Sequence, residues 1–150
     1  NKGLVIEKVD GPSHLKVVEE FGYEMYMHCG AIRKVLLAWQ TPAFIDEYFK
    51  NIILHDQAFP HVRPDDLREE LKKIRQDGYA ITHGEYVTDA LGIGAPVFNS
   101  DGELAGSIGI IAPEIRVDTP EFLDTQKDLV QFYASSLSAD LGYEKHDVFQ

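Results

Sequence analysis

Cysteine occurs once in the 150 residues, at Cys29. A single thiol builds neither an intramolecular disulfide nor a cysteine-based zinc site, and the scarcity fits a reducing, cytoplasmic setting. Basic residues are few as well: 14 Lys and Arg stand against 25 Asp and Glu, a net charge of −11. A surface of that sign repels phosphate backbones, so this stretch is not expected to grip nucleic acid by itself. Long apolar runs are missing; none nears the roughly 20 residues of a membrane span. No signal-peptide pattern stands at the N-terminus. The expectation is a soluble protein with no membrane partner. The chain opens on Asn1 rather than Met, inside a stretch that reads as a strand, which suggests a piece of a longer protein. No Ser-His-Asp set or paired carboxylates stand out, so neither an enzyme nor a cofactor is expected.

What is present suits one compact domain over residues 1–150. Gly3–Asp10 is rich in β-formers, and His14–Glu20 is a second extended candidate. From Ala31 the run AIRKVLLAWQ is apolar almost all round at helical length, as in a buried helix. Thr41-Pro42 and Thr119-Pro120 are cap-and-first-turn signals for two further helices. The second of these is expected to turn Phe122, Leu129, Tyr133, Leu137 and Leu141 inward. The clearest local signal is RPDDLREELKKIRQDG, with Leu67, Leu71 and Ile74 on one face, acids early, bases late and Gly78 as the stop. Helices at both ends of a run of adjacent strands indicate an α+β fold around an antiparallel sheet.

The stretch ALGIGAPVFNSDGELAGSIGIIAP, residues 90–113, reads as a hairpin turning at Ser100-Asp101-Gly102. A two-residue loop pairs Gly92 with Ile111, Gly94 with Gly109, Pro96 with Ser107 and Phe98 with Ala105. One face then carries Ala90, Gly92, Gly94, Ala105, Ser107 and Gly109 and is almost bare. The other carries Leu91, Ile93, Val97, Leu104, Ile108 and Ile110 and is ordinary core. Glycine weakens a strand, so a bare face needs a reason. Two readings stand: a helix seated tightly on it, or a hollow for a ligand.

Other residues read more plainly. His28 fits a buried imidazole and Cys29 an inert buried thiol, although a helix N-terminus stabilises thiolates. His55, Asp56 and His61 match no compact metal spacing, so no metal is expected. His83 and Glu85 lie on a turn, exposed or against a ligand; Lys34 pairs with an acidic ligand or solvates a helix face. Gly92-x-Gly94 lies inside a strand, where a phosphate-binding glycine loop does not. Trp39 reads as core or dimer surface.

The segment HCGAIRKVLLA (28–38), then GYAITHGE (78–85), IGAPVFNSDG and IIAP, together with the opening VIEKVDGP, occur in an order and spacing of their own. They resemble the effector-binding domain of the isocitrate-lyase-regulator (IclR) family of bacterial transcription factors. The resemblance implies a GAF-like fold, a curved antiparallel sheet with helices on both sides, and a pocket on one sheet face. It implies small organic acids or aromatic metabolites as effectors, self-association to dimers or tetramers, and DNA contact through a separate N-terminal winged helix-turn-helix. Carried over by position, the effector site comprises Met25, Gly30, Ala31, Ile32, Thr82, His83, Gly92, Ser107, Gly109 and Ile111. The departures are Gly30 for a small polar residue, Arg33 for glycine, Thr82 for an acid, and Gly109 and Ile111 for serines. Amides at the start of the helix, Gly30 to Ile32, would receive an anionic group. On this reading Gly109→Leu abolishes effector binding and leaves a folded oligomer. The competing functions are a GAF-like enzyme using Cys29 and a pure assembly module.

Overall fold

The computed structural model describes residues 1–17, 20–55, 62–117 and 119–144. Two short strands, β1 (Lys2–Leu4) and β2 (Glu24–Tyr26), pair antiparallel with Gly3 opposite Met25. The helices α1 (Ala31–Ala38) and α2 (Pro42–Tyr48) follow, and a π-helical turn, Phe49–Ile53, extends the latter. Next come α3 (Pro64–Asp77) and the strands β3 (Ala80–His83), β4 (Ala90–Phe98) and β5 (Leu104–Pro113). A single 3-10 turn, Glu114–Arg116, leads into α4 (Pro120–Asp140). The three longer strands form an antiparallel sheet in the order β3-β4-β5. No helix among the described residues is long and apolar enough to cross a membrane.

The ends of the helices follow the local chemistry. Thr41 accepts a hydrogen bond from the Phe44 N–H at 3.3 Å, Thr119 from that of Phe122 at 3.1 Å, and proline follows each. In α3, Leu67, Leu71 and Ile74 are buried, and the Gly78 N–H closes the last turn on the Ile74 carbonyl at 2.9 Å. The first strand stops at Leu4, short of the Gly3–Asp10 stretch; Ile6 and Val9 lie exposed, since β-formers hold a strand only where a partner pairs with them. Within the second extended candidate, residues 14–17 and 20 form no strand, and Val18 and Glu19 lie outside the described residues.

Between β4 and β5 the register pairs Gly92 with Ile111, Gly94 with Gly109 and Pro96 with Ser107, as alternation and the Asp-Gly turn require. Phe98, however, faces Leu104 rather than Ala105. The turn holds three residues: the Asn99 side-chain carbonyl accepts from the Asp101 and Glu103 amides at 3.0 and 2.9 Å, and a bulge beside Val97 and Phe98 absorbs the extra residue.

Helices cover both faces of this sheet. The apolar face carries Leu91, Ile93, Ile108 and Ile110 and packs on α4 through Val130 and Ala134. The side of α4 turned inward is not the expected one. Phe122, Leu129, Tyr133, Leu137 and Leu141 are exposed, while Val130, Ala134 and Ser138 are buried. A sheet face already filled by isoleucine and leucine leaves room only for small partners, so the helix presents its narrow side. Ser138 serves twice there: its hydroxyl donates to the Ala134 carbonyl at 2.7 Å and accepts from the Phe98 amide at 3.0 Å. Ser138→Ala is expected to cost about 1–2 kcal/mol in urea unfolding, because it strands a partly buried amide; an unchanged midpoint would contradict that assignment.

Candidate functional site

The bare face of the β4–β5 ribbon is covered by the start of α1, with a small space left at one end. Over its middle lies the first turn of α1. A Cβ on Gly94 would stand 2.8 Å from the Ile32 Cα and 2.9 Å from its nitrogen. A Cβ on Gly109 would run into the Ile93 carbonyl oxygen and lie 2.6 Å from the Ile32 Cγ1. Both distances are far inside van der Waals contact, so only glycine lets helix and ribbon approach this closely. Ser107 fastens the helix down, its hydroxyl donating to the Ile32 carbonyl at 2.8 Å. Here the face seats a helix.

Toward the other end the start of α1 still lies close: a Cβ on Gly92 would stand 2.9 Å from the Thr82 Oγ1 and 3.4 Å from the Ala31 Cβ. A hollow of about 20 Å3 opens beside Gly92, room for about one water molecule. Six of the expected residues line it: Gly30, Ala31, Ile32, Thr82, Gly92 and Ile111. Thr82 reaches it from β3, opposite Gly92, and its hydroxyl oxygen accepts from the Ala31 amide at 3.1 Å. That bond caps α1, because Gly30, at φ 80°, has no side chain to do so.

Four expected residues lie elsewhere. Met25 is paired within the small sheet, opposite Gly3. The imidazole of His83 is turned to solvent and lies 3.0 Å from Glu114. Ser107 and Gly109 are engaged under α1, as described. A receiving site for an anion at the amides of Gly30 to Ile32 is not formed either: the Ala31 amide is bonded to Thr82, and the Ile32 nitrogen is pressed against Gly94.

The rest of the lining is Glu85, for which a ligand contact was one expectation, and residues the sequence pattern did not single out for the site. Tyr86 and Val87, on the turn between β3 and β4, form the roof, with Ala90 and Leu91 below. The Tyr86 Cβ lies 3.6 Å from where a Cβ on Gly30 would stand. Arg33, 6 % exposed, places its guanidinium 5.1 Å from the centre of the Tyr86 ring. The one sequence signal for these residues was the arginine in place of the family glycine.

Lys34 neither solvates a helix face nor waits for an acidic ligand. It is 4 % exposed, and its ammonium donates to Glu70 at 2.7 and 2.8 Å and to Glu85 at 2.6 Å. A buried ammonium is tolerable only when paired in this way. Glu85 thus touches both the hollow and a second cavity of about 170 Å3, which lies between α1 and α3 and is lined in part by His28, Lys34, Glu70 and Glu85.

His28 is buried, with Nδ1 2.8 Å from the Tyr48 hydroxyl, in keeping with a structural imidazole. Cys29 is buried too. The partly buried Trp39 packs against the core, its ring meeting Phe98 edge-on at 5.9 Å. Asp56 and His61 lie outside the described residues, and no cluster of three metal-ligating side chains occurs among those described.

Comparison with known proteins agrees with this architecture. The profile of the family described as bacterial transcriptional regulator IclR, C-terminal, matches residues 1–139. The chain is 30 % identical over 141 residues to the HTH-type transcriptional regulator RhmR of Escherichia coli (strain K12), covering 93 % of this chain and 54 % of that protein. It is 26 % identical over 144 residues to the HTH-type transcriptional regulator KipR of Bacillus subtilis (strain 168), covering 95 % and 57 %. Among solved structures, the Thermotoga maritima IclR superposes with a TM-score of 0.83 at 28 % identity, over 95 % of this chain and 57 % of that one. The C-terminal domain of a Vibrio cholerae transcriptional regulator superposes with a TM-score of 0.75 at 26 % identity, over 91 % and 78 %. The chain spans about half the length of the curated relatives it matches. The α+β architecture is accordingly the GAF-like one of these domains. The chain belongs to the IclR family of bacterial transcriptional regulators and corresponds to their C-terminal domain.

Proposed function

We propose that this domain is the sensor of a transcriptional regulator, and that a small organic acid or aromatic metabolite binds in the hollow beside Gly92. The observation that carries the reading is the small unfilled space left at the edge of the glycine face, lined by Ala31, Thr82, Tyr86, Gly92 and Ile111. Apolar walls with few polar groups are usual in small-ligand sites, and at about 20 Å3 this recess has to widen to admit a metabolite. DNA contact belongs to a helix-turn-helix outside these residues, as the names of the relatives suggest; an acidic domain of charge −11 is unsuited to it. Self-association to a dimer or tetramer would let effector binding favour one arrangement over another. A ligand shifts that balance only by its differential affinity for the two arrangements.

A thermal-shift screen of organic acids and aromatic catabolites tests this. A true effector at 100 times its dissociation constant adds about 2.7 kcal/mol, which for a domain of this size raises the melting temperature by roughly 5–10 °C. Failure of every compound to move the transition would leave the sensor reading without support.

A further inference from the structure

We propose that residues 84–89 form a lid over this hollow, latched shut by the Lys34–Glu85 ion pair, and that an effector enters only when the latch is released. This rests on the sensor reading and adds the means of access.

At about 20 Å3 the hollow is too small for an organic molecule, so some wall must move. Three of its walls cannot. The ribbon is fixed between α1 and α4, α1 is pressed onto Gly94 and Gly109, and Thr82 is tied to Ala31. The remaining wall is the roof, made by Glu85, Tyr86 and Val87. Its segment is a loop anchored at its far end, where the Asp89 carbonyl accepts from the Glu114 amide at 2.8 Å and the Val87 carbonyl from the Ala90 amide at 3.2 Å. The neck is closed by the Gly84 amide donating to the Ala90 carbonyl at 2.8 Å, above the β3–β4 ladder. Both ends have left-handed backbone, Gly84 at φ 61° and Asp89 at φ 57°, and Asp89 is the one non-glycine residue with positive φ among those described. A non-glycine residue in that region marks a backbone held under constraint.

Two contacts from α1 hold the roof down: the Lys34 ammonium on Glu85, and the Arg33 guanidinium over Tyr86. The first is arranged so that it can be released. Glu70, on α3, binds the same ammonium through both carboxylate oxygens. When Glu85 swings out with the roof, its carboxylate, already one-third exposed, goes to water, and the buried ammonium keeps a full counter-charge. A lysine paired with Glu85 alone would hold the roof far more tightly, because opening would leave an uncompensated charge. Glu70 thus competes with the roof for Lys34.

That competition predicts effects of opposite sign from two similar substitutions. In hydrogen exchange followed at single amides, Glu85→Gln should speed exchange at Gly84 and Ala90 by about tenfold or more, with amides of the β4 interior unchanged. Glu70→Gln should slow the same two amides, since Lys34 then has only the roof to bind. A structural role for the trio without a lid would make both substitutions accelerate exchange, and would overturn the proposal. So would uniform acceleration across β4, which reports global loosening, or no change at Gly84 and Ala90 in either variant. The measurement needs no effector, so failure here leaves the metabolite screen standing, and failure of the screen leaves this result standing.

Discussion

Gly109→Leu is expected to unfold much of the protein rather than to empty a pocket. Any side chain at 109 meets the Ile93 carbonyl and the Ile32 side chain, and a leucine also drives into the seat of α1. Overpacking a core costs about 1–3 kcal/mol when side chains can give way. Here the obstacle is partly backbone, so a loss of roughly 3 kcal/mol or more is expected, a large share of a domain's stability. Gly94→Leu should behave alike, since the atoms it meets are the Ile32 backbone. Gly106→Ala is the control: a Cβ there meets nothing within 4 Å, and the unfolding midpoint should stay within about 0.5 kcal/mol of wild type. Urea denaturation of the three variants decides it. Wild-type stability in Gly109→Leu would mean that α1 does not sit on the ribbon as described.

The second large effect concerns the buried ammonium. Removing both carboxylates, in Glu70→Gln/Glu85→Gln, leaves Lys34 charged in the interior with no counter-charge, which costs about 3–5 kcal/mol. Each single substitution leaves one carboxylate in place, and glutamates already one-third exposed are easily resolvated, so about 1 kcal/mol each is expected. The double substitution should therefore exceed the sum of the singles by about 1–3 kcal/mol, as residues sharing a partner do. Adding Lys34→Met to the double variant should recover most of the loss, because the desolvated charge is gone. Strict additivity in denaturant midpoints would show that the two carboxylates do not share the ammonium.

Much of this was legible in the sequence where the controlling physics is local. Alternation along residues 90–113 separated a bare face from an apolar one, and three of four cross-strand pairs followed from Asp-Gly placement. The fourth failed because Asn99 bonds to its own turn and widens it by a residue, an effect of one side chain that a turn motif does not reveal. The helix signals of α3 were complete, with face, charges and stop all agreeing. The helix α4 misled because it bears two stripes of the same spacing, one residue apart. Bulk favours the stripe at 129, 133, 137 and 141, whereas the sheet, filled already by Leu91, Ile93 and Ile110, accepts only the smaller one at 130, 134 and 138.

The site was half legible for the same reason. Gly30, Ala31, Ile32, Thr82, Gly92 and Ile111, carried over from the family resemblance, line one hollow. What position could not show is that the central glycines serve the helix. That depends on how deeply α1 settles, and so on the bonds from Ser107 to Ile32 and from Thr82 to Ala31 across 75 and 51 residues. Lys34 likewise finds its carboxylates 36 and 51 residues away. Long-range partners of this kind fix which polar groups remain for a ligand. They explain why Gly109, carried over as an effector residue, is part of the scaffold.

The most direct test of the receptor itself is calorimetric titration of a metabolite found by thermal shift, against wild type and against Ile111→Trp. The added indole exceeds the space of the hollow and competes with any ligand for it from β5, on a side chain that is half-buried. The account predicts a folded variant whose affinity falls by at least a hundredfold. Undiminished binding by folded Ile111→Trp would place the effector elsewhere and contradict the central claim.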